Sequence, residues 1–150
     1  MSSNNYQEVL YRVAEETLES LAFMFTECDE EEKGKESEAP TWVRISFSGP
    51  FSGSLMVGVD PGVLGELAEN MLGTEDEVTL AEKEDALREL ANVICGNLLP
   101  EIGGKEEIFQ LEAPQIISGE EKEIQLNRAE PQARIKLPLE SGLAEVVLFI

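Results

Sequence analysis

Apolar residues recur at steps of three and four along residues 5–26, where Tyr6, Val9, Leu10, Val13, Leu18, Leu21 and Phe25 fall into one stripe. That spacing predicts an amphipathic helix. A second stripe runs through TLAEKEDALRELANVICGNLLP, residues 79–100, in which Leu87, Leu90, Ala91, Ile94 and Leu98 share one side of a helix. Thr79 followed by Glu82 is a capping-box pattern for its start, and Pro100, with Gly103 and Gly104 behind it, marks its end. Between the two, Asp60 and Pro61 read as an N-cap and first helical residue; Leu64, Leu67, Ala68 and Met71 follow, and Gly73 stops the helix.

The period changes to two over TWVRISFS, which sets Thr41, Val43, Ile45 and Phe47 against Trp42, Arg44, Ser46 and Ser48. Gly49, Pro50 and Gly53 supply turn chemistry before SLMVGV, so a hairpin over residues 41–59 is predicted. Beyond the long helix, residues 108–111, 115–117, 122–126, 133–137 and 143–150 read as strands. Three helices among about seven strands, mostly joined by short turns, indicate an α+β fold with a largely antiparallel sheet and helices on one face. The final strand, AEVVLFI, is apolar and nearly uncharged. As an open edge it would aggregate, so it is expected at the centre of the sheet or paired with a second subunit. Residues 27–38, ECDEEEKGKESE, are nearly devoid of apolar groups and are expected to form a mobile, solvated connector.

A length of 150 residues with 42% hydrophobic content suits one domain over residues 1–150. Thirty-one acidic against eleven basic residues give a formal charge of −20. Nucleic acids and anionic membrane surfaces are therefore not expected as partners, because both demand neutralisation by Lys and Arg. The start, MSSNNYQEVLYR, lacks the pattern of a secretory signal, and no apolar run approaches the length of a membrane span, so a cytoplasmic protein is expected. Cys28 and Cys95 stand far apart in a chain without histidine, which argues against a structural zinc site and a disulfide framework. No His-based triad, Gly-rich phosphate loop or metal-ligand cluster is present. A self-contained active site for small phosphate esters is thus disfavoured, and catalysis would have to be completed by a partner.

The remaining chemistry lies on the polar side of the long helix. Asp85, Glu89, Asn92 and Gly96 fall within an arc of about 60° opposite the apolar stripe. A carboxylate and an amide one turn apart can reach together into a partner's active site, the first accepting from an ammonium, the second both accepting and donating. The spacing Asp85, three residues, Glu89, two residues, Asn92, twenty-one residues, Pro114 resembles the signature of the CheC, CheX and FliY family of chemotaxis phosphatases. The flanking GNLLPEIGG and APQIISGEEKEI are similar to CheX. Two-site members repeat the Glu, two residues, Asn arrangement on the first helix; here Glu16 is followed by Glu19, so the resemblance is to the single-site CheX branch.

That resemblance implies a CheC/CheX-like fold, a homodimer formed through the sheets, and a partner: the phosphorylated receiver domain of a CheY-like response regulator. The receiver would hold the aspartyl phosphate, a Mg²⁺ ion and a lysine, and this chain would bind no cofactor of its own. Asn92 would orient the attacking water, and Glu89 would pair with the receiver's lysine. Asp85 would support Glu89 from the turn below. Gly96 would either admit a close backbone or serve helix packing, and Pro114 would fix the strand behind the helix. The alternative is a non-catalytic receiver-binding or motor-switch-like scaffold that uses the same helix.

Overall fold

The computed structural model describes residues 3–27, 39–74 and 76–150. Cys28 and the rest of the acidic segment through residue 38 lie outside the described residues. The first helix, α1 (Ser3–Ala22), ends before Phe25, the last member of the apolar stripe. Phe23 adopts a left-handed φ of 54°, its N–H bonds Glu19 O, and the N–H of Met24 bonds Leu18 O, each at 3.1 Å. The Phe23 bond is the 5→1 bond of an αL helix stop, here with Phe where Gly is usual. As a consequence Met24 is buried and Phe25 is left exposed.

The predicted hairpin is present as β1 (Thr41–Ser48) and β2 (Gly53–Val59). Next comes α2 (Pro61–Leu72), closed by Gly73 at φ 64°. Asp60 stands at its N-cap position without capping it; Oδ2 instead accepts from the N–H of Leu143, at 2.7 Å, and so ties the helix start to the last hairpin. The long helix α3 (Leu80–Gly103) begins with the capping box of Thr79 and Glu82 and runs three residues past Pro100. Pro100 is tolerated inside the last turn, and Gly104, with φ 100° and its N–H on Pro100 O, ends the helix.

Two short strands, β3 (Gln110–Leu111) and β4 (Gln115–Ile117), follow. Residues 122–126, read as a strand, are helical: they lie in α4 (Gly119–Arg128). Ile124 and Leu126 mimic a strand's alternation, but the local signals of a helix prevail. Ser118 Oγ accepts from Glu121 N–H at 3.1 Å, Glu120 and Glu121 occupy the first turn, and Arg128 the last, each complementing the helix dipole. The chain closes with β5 (Ala133–Leu139) and β6 (Gly142–Phe149).

All strand pairings are antiparallel, in the order β3-β1-β2-β6-β5, with β4 also on β1. β6 is central, hydrogen-bonded to β2 and β5, so neither of its edges is open to a second subunit. One sheet face presents Val43, Ile45, Leu55, Val57, Ile135, Leu137, Val146 and Leu148 to the apolar stripes of α1, α2 and α3. Each Leu or Ile fully removed from water there contributes about 1.5–3 kcal/mol. The fourth helix lies on the other face, contrary to the expectation that all helices share one. There Leu126 packs against Trp42, Met56, Ile117, Val147 and Phe149, while Gln125 donates to Ser54 Oγ at 2.7 Å and accepts from Arg44 Nη1 at 3.2 Å.

Candidate functional site

The polar side of α3 is positioned from both ends of the packing hierarchy. At its start, Thr79 Oγ1 accepts from Glu82 N–H and Glu82 Oε1 accepts from Thr79 N–H, both at 3.1 Å. The bond from the Thr79 N–H, followed by one from the Thr79 hydroxyl, holds the Glu82 carboxyl below its ordinary range. Along the helix, Leu87, Leu90, Ala91, Ile94 and Leu98 are all buried. Rotation about the helix axis is thereby fixed, and Asp85, Glu89, Asn92 and Gly96 are left exposed.

Asp85, Glu89 and Asn92 form one wall of an open groove of about 450 Å³, together with Arg88. The facing wall is Leu111, at the end of β3, with Glu112, Ala113 and Pro114, which lead from it to β4. That segment bulges. Phe47 pairs with Leu111 and Arg44 with Gln115, so three steps along β1 are matched by four along the facing chain. One extra residue is accommodated opposite Ile45, and Pro114, which has no N–H to give to a ladder, sits where none is needed. The N–H of Glu112 bonds Ser46 O at 2.9 Å and anchors the bulge to the sheet.

Four of the five site residues expected from sequence, Asp85, Glu89, Asn92 and Pro114, thus line one groove, and the fifth, Gly96, does not. A Cβ on Gly96 would meet no atom within 4 Å beyond its own helix turn, so its small size is not required by packing within the chain. Two charged groove residues, Arg88 and Glu112, are not marked by the sequence pattern. Arg88 Nη1 donates to Asp85 Oδ1 at 2.8 Å, which makes Arg88 the observed partner of Asp85. Its position about 60° from Asp85 on a helical wheel would have revealed it. Glu112 could not be foreseen, because it reaches the groove only through the bulge.

On α1, Glu16 is exposed and pairs with Arg12 at 3.6 Å, whereas Ala22 is buried. The Glu, two residues, Asn order of Glu89 and Asn92 is not repeated along that helix. Cys95 lies in the core behind the site, and burial pushes its thiol up to about 12, which leaves it a neutral packing residue. No group of three or more His, Cys, Asp or Glu among the described residues could hold a metal ion. No helix among them is long and apolar enough to cross a membrane.

The profile of the family described as chemotaxis phosphatase CheX matches residues 42–137, well over half of the chain and including the whole groove. The chain belongs to this family of chemotaxis phosphatases. No curated protein matches the sequence. Among solved structures, a chemotaxis protein CheX from Desulfovibrio desulfuricans is similar with a TM-score of 0.72 at 14% identity, over 97% of this chain and 99% of that one. CheX from Vibrio vulnificus gives 0.71 at 17% identity, over 99% and 98%. A CheX-CheY-BeF3-Mg²⁺ complex from Borrelia burgdorferi gives 0.65 at 19% identity, over 96% of both chains. Likeness at these identities carries the fold; the family match carries the activity.

Proposed function

We propose that the exposed face of α3 is the catalytic surface and that Asn92 and Glu89 carry the reaction on the aspartyl phosphate of a CheY-like receiver. The observation that carries this reading is the groove in which Asp85, Glu89 and Asn92 face Pro114 across an open gap. Asn92 places a water in line with phosphorus: its carbonyl oxygen accepts from the water while its N–H₂ donates to a phosphoryl oxygen, adding no charge beside an anion. The new bond joins water oxygen to phosphorus. The bond to the aspartate oxygen breaks, and inorganic phosphate and a free carboxylate remain. Glu89 docks the helix through a charge-assisted bond to the receiver's lysine. Magnesium belongs to the receiver in this scheme, in keeping with the Mg²⁺ of the Borrelia complex, whose BeF3 has the shape and charge of a phosphoryl group.

Pro114 holds the far wall at its bulge, and Gly96 leaves room for the receiver's backbone beyond Asn92. The protein acts in the cytoplasm as a single CheX-like domain and a homodimer. Support for the dimer comes from the family resemblance and from β3 and β4, which pair on one side only among the described residues. Light scattering should then give twice the chain mass of 16.5 kDa. The reaction is tested by mixing the purified chain at substoichiometric amounts with a Mg²⁺-loaded, phosphorylated receiver and timing phosphate release. Turnover of many receivers per chain is the expected result; tight binding without acceleration would identify a scaffold instead.

A further inference from the structure

Among the described residues, Arg88 is the one cation lining the groove, beside three carboxylates, Asp85, Glu89 and Glu112. In a chain of net charge −20 such a group changes the local field where a partner would enter. Its bond to Asp85 links two side chains 38% and 74% exposed on successive turns, a geometry that contributes little to stability. What the bond does is orient. A guanidinium carries five N–H donors in a rigid fork; Asp85 takes one of them, and the side chain lines the groove.

We propose that Arg88 is a specificity-determining docking residue, held in place by Asp85, that binds a carboxylate at the rim of the receiver's phosphoryl pocket. The proposal rests on the reading of the α3 face as the phosphatase surface. A pocket that binds Mg²⁺ is built from oxygen ligands, carboxylates foremost, and a partner whose docking wall were wholly acidic would be repelled by them at short range. Arg88 offsets that repulsion and supplies bidentate recognition, while Glu89 meets the receiver's ammonium on the same turn. Asp85 acts on the receiver only through the arginine, which makes it a positioning residue.

Phosphate release from a Mg²⁺-loaded phosphorylated receiver, measured as a function of receiver concentration, separates the possibilities. For Arg88→Gln the half-saturating receiver concentration should rise at least fivefold, with the saturating rate within twofold of wild type and an unchanged melting temperature. Arg88→Lys, which keeps the charge and loses the fork, should fall between the two, and Asp85→Asn should have no further effect once Arg88 is Gln. Unchanged half-saturation in Arg88→Gln beside an active wild type would overturn the role of Arg88 alone. A fall confined to the saturating rate would also overturn it, because the residue would then act in the chemistry. An inactive wild type would remove the underlying reading together with the proposal.

Discussion

Thr79 and Glu82 exchange two hydrogen bonds of 3.1 Å across the first turn of the helix that bears Glu89 and Asn92. The carboxyl of Glu82 is held below its ordinary value of 4.5 by the Thr79 N–H first and the Thr79 hydroxyl second. A depressed folded value means the stabilisation is present above the unfolded value and is lost as pH falls through the folded one. Glu82→Gln should therefore flatten the acid limb of thermal stability below about pH 4.5 relative to wild type. Melting curves of both proteins between neutral pH and pH 3 would check it, and parallel acid limbs would contradict it.

On the other face of the sheet, Trp42 lies flat over Gly58. A Cβ on Gly58 would come within 2.5 Å of Trp42 Cε2, and the ring is buried against Leu126 of α4. Gly58→Ala should cost about 1–3 kcal/mol through overpacking. In a chain of this size each kcal/mol lowers the melting temperature by about 2–4 °C. Calorimetry would measure the shift, and a variant as stable as wild type would show that the Trp42 layer yields.

Burial of the Cys95 thiol, pushed up to about 12, predicts chemical silence. A maleimide at pH 8 should leave Cys95 unmodified in the native protein and label it fully in denaturant, with the site located by peptide mass spectrometry. Rapid native labelling would mean that α3 opens from the sheet.

Glu89 is exposed and lines the groove, so its removal should leave the fold intact. Glu89→Ala is expected to raise the half-saturating receiver concentration about tenfold, the loss of one charge-assisted contact, and to slow turnover as well. Titration against a receiver carrying BeF3 and Mg²⁺ would isolate the binding part. Unchanged affinity and rate would remove Glu89 from the site.

Much of this architecture is legible in the chain because the signals are local. Gly73 and the Thr79–Glu82 pair fix helix ends by hydrogen bonds within one turn, and the alternation of TWVRISFS fixes which side chains meet the core. The apolar AEVVLFI could be assigned to a protected strand, which is how β6 sits between β2 and β5. Where the reading failed, a distant contact decided. Asp60 has the sequence of an N-cap but spends its carboxylate on Leu143, and α4 has no fully buried residue to give it a helical period. The far wall of the groove depends on a register slip between β1 and the segment through Pro114, and a slip of one residue leaves no mark in composition or period. Asp85, Glu89 and Asn92 can be grouped from sequence because a single helix carries them; Glu112 cannot, because the sheet brings it to the groove.

The central claim is that Asn92 positions the hydrolytic water. Single-turnover phosphate release from a phosphorylated receiver saturated with Asn92→Ala tests it most directly, with affinity for the BeF3-bound receiver measured in parallel. An interaction made chiefly in the transition state predicts a fall in rate of about 10²-fold or more while affinity stays within a few-fold of wild type. A variant that binds the receiver and releases phosphate at the wild-type rate would contradict the account.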